Sequence, residues 1–88
     1  EKPKDFVVDV HLDAIIAELA EEKQLTKRET EVVSKVVKEG LTNDKICLDL
    51  CITSHTLNKH LINIYRKCDV NSRAALTHHV ISRKETAI

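Results

Sequence analysis

The sequence predicts an all-α fold, and three features of its composition lead to that prediction. Ala, Leu, Ile, Val, Lys and Glu dominate the 88 residues, a composition typical of helical domains. A single Gly and a single Pro leave little material for strand-connecting turns. Aromatic residues, which strands favour, make up only 2% of the chain. The length corresponds to one small domain, and 42% hydrophobic residues suffice for a modest core.

The net charge of the chain is zero, but the charge is unevenly distributed. Residues 1–52 hold eight Lys or Arg against twelve Asp or Glu, a balance of −4. Residues 53–88 hold six Lys or Arg against two acids, a balance of +4. Because the field at a binding face depends on the local charge, the neutral total does not exclude a nucleic-acid partner.

Several classes of protein are excluded by what the sequence lacks. A membrane span needs about 18 consecutive apolar residues, and no run in the sequence approaches that length. The chain also does not open with a signal-peptide pattern. Cys47, Cys51 and Cys68 are odd in number and lie in helical apolar patterns. We therefore expect reduced core thiols in a cytoplasmic protein. The chain contains no methionine, so we expect it to be a piece of a longer protein.

The first helix is predicted over about residues 10–22, with Asp9 as its N-cap. Residues 1–9, "EKPKDFVVD", contain a proline and mixed charges, and we interpret them as a linker or arm. The spacing of a buried helical stripe follows, in Leu12, Ile15, Ile16 and Leu19.

A second helix is predicted over about residues 27–39. Thr26 and Glu29 have the spacing of a capping box, in which each side chain accepts a hydrogen bond from the other residue's backbone N–H. The buried stripe consists of Val32, Val33, Val36 and Val37. Gly40, the only glycine, stands where a left-handed residue ends a helix.

Two further helices are separated by only three residues, 51–53. Thr42 is the predicted N-cap of the first, which buries Ile46 and Leu50. Thr53 is the predicted N-cap of the second, at about residues 54–68. The buried stripe of that helix is Leu57, Leu61, Ile64 and Cys68. Two short helices joined by so tight a turn predict a helix-turn-helix.

A last helix is predicted over about residues 73–83, after the helical pattern breaks at "DVNS". Ser72 is its predicted N-cap, and Leu76 with Val80 or Ile81 is expected to face inward. Residues 84–88 are expected to form a C-terminal tail.

The segment "LTKRETEVV…VKEGLTNDKICLDLCITSHTLNKHLINIYRKCDVNSRAAL" resembles the DNA-binding domain of LuxR-type (GerE-like) bacterial transcription regulators. The resemblance covers about residues 25–81, in order and without gaps. The matching positions are Leu25, Thr26, Arg28, Glu29, Glu31, Val32, Glu39, Gly40, Thr42, Asn43, Ile46, Ile52, Thr53, Thr56, His60, Asn63, Ile64, Lys67, Val70, Ser72, Arg73, Ala74 and Leu76.

The chain departs from the family pattern at a few positions. Cys47, Leu57 and Cys68 replace other apolar residues. Lys45 stands where the family usually has an acid that closes a second capping box. Asp69 replaces a usual glycine, and Asp tolerates a left-handed backbone better than most residues.

The resemblance implies a compact four-helix helix-turn-helix domain, here residues 25–83, preceded by a short extra amphipathic helix. Residues 1–24 would then be an interdomain linker whose helix packs on this domain or on a partner subunit. The family further implies an upstream sensor or receiver domain, a homodimer on DNA, and RNA polymerase as a candidate partner. Dimerisation is expected through the last helix, at Ala75, Leu76, His79 and Val80.

The exposed side of the fourth predicted helix carries no acid between Thr53 and Cys68. An α-helix fits the major groove of duplex DNA, where flanking phosphates would repel carboxylates. We therefore predict base contacts from His55, Asn58, Lys59 and Ile62. Phosphate contacts are predicted from Thr42, Lys45, Thr53, Ser54, Thr56, Arg66 and Lys67, with Arg73 as a further cation that raises salt dependence.

DNA binding has three alternatives, an enzyme and two kinds of binding module. An enzyme is not expected, since the chain has no glycine-rich loop, no carboxylate pair on an apolar wall and little room for a pocket. A sigma-factor region-four-like promoter-binding module and a helical protein-interaction module are the alternatives. The segment "DVNSRAALTHHV" favours the LuxR type over the sigma module.

Two groups of residues could have a binding role instead of a structural one: a possible zinc site and a possible phosphate contact. Cys47, Cys51 and His55, with His60 beyond, suggest a zinc site, but the turn after Cys51 breaks their helical alignment. No metal or cofactor is therefore predicted. His60 lies within about 40° of Ile64 on a helical wheel, so we expect it to be partly buried and hydrogen-bonded, with a phosphate contact as the alternative.

Overall fold

The computed structural model describes the backbone of residues 2–86 and the side chains of residues 12–83. Within this range the chain forms five helices and no strand, which confirms the all-α prediction. The helices are α1 (Lys2–Lys23), α2 (Lys27–Val37), α3 (Asn43–Leu50), α4 (Ser54–Cys68) and α5 (Arg73–Thr86). None of the described helices combines the length and apolarity that a membrane span requires.

The first helix is longer than the sequence pattern predicts. It begins at Lys2, so that residues 2–9 are helical and Asp9 lies inside α1 rather than at its N-cap. Pro3 suggested a linker, yet it occupies the first turn, where its missing N–H would have no intrahelical partner in any case. The helix ends at Lys23, and Gln24 takes a left-handed backbone with φ +58°.

α1 packs on the same domain as the other helices, against α5 and α2. The predicted stripe is confirmed, because the four apolar residues Leu12, Ile15, Ile16 and Leu19 are all buried. An ion pair of 2.8 Å between Lys38 Nζ and Asp13 Oδ1 joins α1 to the end of α2. In this structure α1 therefore packs on the domain of its own chain.

The core is completed by the stripes of the remaining helices. Val32, Val33 and Val36 of α2 are buried as predicted, whereas Val37 is only partly buried. The capping box at the start of α2 is confirmed: Glu29 N donates to Thr26 Oγ1 at 3.1 Å, and Thr26 N donates to Glu29 Oε1 at 3.0 Å. α2 ends at Val37, two residues earlier than predicted, and Gly40 takes the expected left-handed backbone with φ +61°.

The turn between α3 and α4 has the predicted length of three residues, 51–53. Its first residue, Cys51, takes a left-handed backbone with φ +56°, and Ile52 N then donates to the Cys47 carbonyl at 3.0 Å. The turn reverses the chain quickly enough for α3 and α4 to pack on each other. The helix-turn-helix prediction therefore agrees with the observed local geometry.

α5 follows a second left-handed residue, Asp69, which has φ +59° and ends α4. Ser72 is the N-cap of α5 as predicted, because its Oγ accepts a hydrogen bond of 3.1 Å from Ala75 N. Leu76 and Val80 are fully buried, and Ile81 is partly buried. The helix continues to Thr86, three residues into the segment predicted to be a tail.

Candidate nucleic-acid interface

The candidate interface is the exposed face of α4, and the buried face of the same helix fixes its orientation. Leu57, Leu61, Ile64 and Cys68 are buried, as the sequence predicts. α4 packs mainly on α2 and also on α3. Because these side chains cover less than a third of the helix circumference, the opposite side of α4 is left free for a ligand.

The four predicted base-contacting residues share this free face. His55, Asn58, Lys59 and Ile62 are all exposed, and at 100° per residue they fall within an arc of about 100°. Ile62, a large apolar side chain, is 55% exposed. The structure therefore brings amide, ammonium, imidazole and aliphatic groups onto one surface.

Three cations on and beside the free face of α4 have no acidic partner among the described residues. Lys45, Lys59 and Arg66 are exposed and form no ion pair with any described residue. By contrast, five other basic residues pair with acids: Arg28, Lys35, Lys38, Lys67 and Arg83. The positive charge beside α4 is thus available to an external anion.

The N-terminal turns of α3 and α4 are closed by threonine hydroxyls. Thr42 Oγ1 accepts a hydrogen bond of 3.3 Å from Lys45 N. Thr53 Oγ1 accepts from Thr56 N at 3.1 Å and donates to Thr56 Oγ1 at 3.0 Å. Only the first half of a capping box is present in α3, as expected from the lysine at position 45. Thr42, Thr53 and Ser54 are exposed, and Thr56 is partly buried.

Lys67, for which a phosphate contact is predicted, is engaged within the domain and does not lie on the free surface. Its Nζ lies 2.8 Å from Glu29 Oε1 and donates to the Gln24 carbonyl at 3.1 Å. The ammonium thereby ties the end of α4 to the turn between α1 and α2. Arg73 is also engaged within the domain, since it donates to the Leu41 carbonyl and, at 2.9 Å, to Asn43 Oδ1.

The carboxylate that Lys67 contacts is the buried Glu29, which is 3% exposed. Burial raises the pKa of Glu29, but the hydrogen bonds from Lys67 and the Thr26 backbone, with the nearby charges of Lys67 and His60, outweigh it. The net result is a pKa below the ordinary 4.5. His60 is partly buried, as predicted, and lies close enough to Glu29 to share in this effect.

The four predicted dimerisation residues differ in burial. Leu76 and Val80 are fully buried between the helices of one protomer. Ala75 and His79 are only partly buried. Burial lowers the pKa of His79, and the nearby charges of Arg83 and Lys23 lower it further.

The thiols are free, but they do not all lie in the core. Cys68 is buried, and its burial raises its pKa; Cys47 is partly buried, and Cys51 is exposed in the turn. The expectation of three core thiols is therefore corrected for Cys51, which is exposed. Among the described residues no group of His, Cys, Asp or Glu has the arrangement of a metal site.

Leu48 on α3 was overlooked by the sequence reasoning. It is 75% exposed, and a helical wheel places it about 160° from the buried Ile46. The wheel alone would have shown a large apolar residue in the centre of a solvent-facing side.

The comparisons with known proteins agree with this geometry. The family model described as bacterial regulatory proteins of the luxR family matches residues 23–80. The response regulatory protein YgeK of Escherichia coli (strain K12), called uncharacterized, is 35% identical over 65 residues, which are 72% of this chain and 44% of the relative. The transcriptional regulatory protein LiaR of Bacillus subtilis (strain 168) is 43% identical over 51 residues, which are 58% of this chain and 24% of the relative.

The chain spans less than half the length of either curated relative. No solved structure matches it at a significant level. The family match covers 58 of the 88 residues, including α2, α3 and α4. The chain therefore belongs to the luxR family of bacterial regulatory proteins and is a DNA-binding domain of transcription regulation.

Proposed function

We propose that this domain binds specific double-stranded DNA sequences by placing α4 in the major groove. The observation that carries the proposal is the exposed side of α4, which has no acid and presents Lys59 and Arg66 without an ion-pair partner among the described residues. Flanking phosphates attract such a surface and would repel carboxylates. An α-helix also has the width that the major groove accepts.

The base-reading role falls to the residues in the centre of the free face. Asn58 can donate to and accept from adenine, and Lys59 can donate to guanine O6 and N7. Ile62 can contact a thymine methyl group, which accounts for its 55% exposure. His55 lies in the first turn of α4, the part of a recognition helix that approaches base edges most closely.

The phosphate-binding role falls to residues around this centre. Lys45 lies on α3, before the turn that leads into α4, and Arg66 lies in the last turn of α4. The two cations therefore flank the reading face. Thr42, Thr53 and Ser54 surround two helix N-termini, and Thr56 supports the second one. Backbone N–H groups there, together with the helix dipole, suit phosphate oxygens.

A homodimer on DNA is part of the proposal. The partly exposed Ala75 and His79 leave α5 some surface for a second copy, while Leu76 and Val80 stay inside each protomer. Two copies would place their α4 helices in successive major grooves about 34 Å apart on a roughly palindromic site. The proposal also includes domain boundaries at 24/25 and 83/84. It further includes an upstream regulatory domain in the whole protein and RNA polymerase as a partner.

Two alternatives to this function are a helical protein-interaction module and a sigma-factor region-four-like module. A helical protein-interaction module would also use a basic, amide-rich face, but its acidic partner would not require a helix that fits the major groove. A sigma-factor region-four-like module would bind DNA through a similar helix-turn-helix. The match of the luxR family model through α5 to residue 80 favours the proposed regulator domain over the sigma module.

The test compares two single variants on two kinds of duplex. Enrichment of random duplexes on the chain first identifies the preferred site. Asn58→Ala should then weaken binding to that site by about 1–3 kcal/mol and leave random-sequence binding nearly unchanged. Lys45→Ala should weaken binding to both duplexes equally and reduce the salt slope of log affinity by about one unit.

Each variant controls for general damage in the other, since both residues are exposed and α4 and α3 keep their buried faces. If Asn58→Ala lowers specific and random binding equally, α4 is not the reading element. An affinity that does not change with salt would support the protein-interaction alternative instead.

A further inference from the structure

Two large hydrophobic side chains are exposed among the described residues, Leu48 at 75% and Ile62 at 55%. Ile62 lies on the face of α4 that the proposed function uses. Leu48 lies on α3 and has no part in that function. A single exposed leucine is common on protein surfaces, so the question is whether its surroundings form a surface that a partner can recognise.

Leu48 lies beside a shallow open groove of about 410 Å³. The groove is lined by Asp44, Cys47, Leu48, Ile52 and Ser54. Cys47 and Ile52 are partly buried and form an apolar floor that continues into the core. Leu48 therefore extends an apolar surface instead of standing alone among polar residues.

The charge at the groove selects the chemistry of the occupant. Asp44 is exposed and pairs with no cation among the described residues. Its carboxylate would repel a phosphate and attract an ammonium or guanidinium group. A DNA backbone is thus a poor occupant of this groove, although Ser54 at its edge begins the helix that faces DNA.

A second copy of the chain is also a poor occupant. In a symmetric dimer built on this surface, the same patch from both copies would meet. The groove lining of the second copy contains no Lys or Arg that could pair with Asp44, so the contact would lack charge complementarity. A complementary surface must instead supply an apolar side chain for the groove and a positive charge for Asp44.

We propose that the groove beside Leu48 is a docking site for another protein, which inserts an apolar side chain flanked by Lys or Arg. Because Ser54 belongs both to the groove and to the start of α4, a bound partner sits next to the DNA. That position relative to DNA rests on the proposed function, whereas the groove and its charge do not.

The experiment selects peptides against this surface and uses matched variants of the whole 88-residue chain. A displayed library of random peptides is enriched on the immobilised wild-type chain and depleted on Leu48→Ser. Individual peptides are then measured by fluorescence anisotropy on wild type, Leu48→Ser and Asp44→Asn. Glu18→Gln on α1, an exposed acid far along the chain from the groove, is the matched control for loss of a charge.

The expected peptides carry an apolar residue next to Lys or Arg. Their affinity should fall at least tenfold for Leu48→Ser and severalfold for Asp44→Asn at low salt, and remain unchanged for Glu18→Gln. Melting temperature should change by no more than a few degrees, the largest change being in Asp44→Asn, because Asp44 lies in the first turn of α3. Affinity for the preferred duplex should not fall in any variant, because Leu48 and Asp44 are exposed and lie outside the reading face.

Several results would overturn the proposal. The proposal fails if no selected peptide distinguishes the wild type from Leu48→Ser. It also fails if the library is enriched in acidic peptides. Loss of self-association in Leu48→Ser, measured by sedimentation, would assign the groove to a second copy. Loss of duplex affinity in Leu48→Ser would assign it to DNA. If the wild type binds peptides but no duplex, the proposed function fails and the docking site stands.

Discussion

Replacing Lys67 with methionine removes an ammonium from a buried carboxylate, and the surroundings of the pair set the size of the loss. The Nζ–Oε1 distance between Lys67 and Glu29 is 2.8 Å, with side chains 32% and 4% exposed. Breaking a fully buried pair costs about 3–5 kcal/mol, and a hydrogen bond to a charged group contributes about 1.5–3 kcal/mol. Because water reaches Lys67, we expect Lys67→Met to lower the free energy of unfolding by about 2–3 kcal/mol.

Arg66→Met is the matched control, since Arg66 is the adjacent residue and has the same charge. It is exposed and has no partner among the described residues, so its replacement should change stability by no more than about 0.5 kcal/mol. For a domain of this size, the melting temperature should fall by about 10–20 °C in Lys67→Met and hardly at all in Arg66→Met. Urea and thermal unfolding followed by circular dichroism measure both quantities.

Binding to DNA should show the opposite order. Arg66→Met should reduce the salt slope of log affinity by about one unit, because one phosphate contact is lost. Lys67→Met should leave the slope unchanged when measured at a temperature at which both variants are folded. Equal stability of the two variants would refute the structural role of Lys67. A reduced slope for Lys67→Met would restore its predicted role as a phosphate contact.

Three further outcomes are expected. Leu19→Ala on α1 should lower the free energy of unfolding by about 2–5 kcal/mol, because this side chain is fully buried; a loss below 1 kcal/mol in urea unfolding would show that α1 is not part of the core. Asp69→Gly should raise stability by about 0.5–1 kcal/mol, since glycine adopts φ +59° without the cost that a Cβ adds; a lower denaturation midpoint would contradict this reasoning. The pKa of His79 in the folded chain lies below its ordinary 6.5, so the unfolded chain takes up a proton first as the pH drops, and the free energy of unfolding should fall below about pH 6.5. His79→Gln should reduce that fall between pH 7.5 and 5.5. An unchanged fall would exclude His79 as its source.

The local elements follow closely from local sequence signals. The caps at Thr26, Thr42, Thr53 and Ser72 are each made by a hydroxyl that accepts from the third residue after it, and each marks a helix start. Such caps involve residues within one turn, so the sequence contains all of the partners. The stripe of α4 is equally local, because helical periodicity alone separates its buried face from its free face.

The extent of α1 could not be read in the same way. Pro3 and mixed charges suggested a linker, whereas a proline in the first helical turn is compatible with continued helix. The surface that holds α1 in place comes partly from α2, the next helix, and partly from α5, at the far end of the chain. Its helical state therefore depends partly on tertiary packing, which a local pattern does not reveal.

The sequence by itself determined the helical class, the helix-turn-helix and the acid-free face of α4, since periodicity, capping and local charge are properties of neighbouring residues. Only the tertiary structure decided which cations are free. Lys67 and Arg66 are adjacent and equally charged, yet one is held by Glu29, 38 positions away, and the other faces solvent. It likewise decided that Leu76 and Val80 belong to the protomer core and that Leu48 does not. The reason is physical: burial and ion pairing depend on which surfaces meet when distant segments pack, and that information is not contained in any single helix.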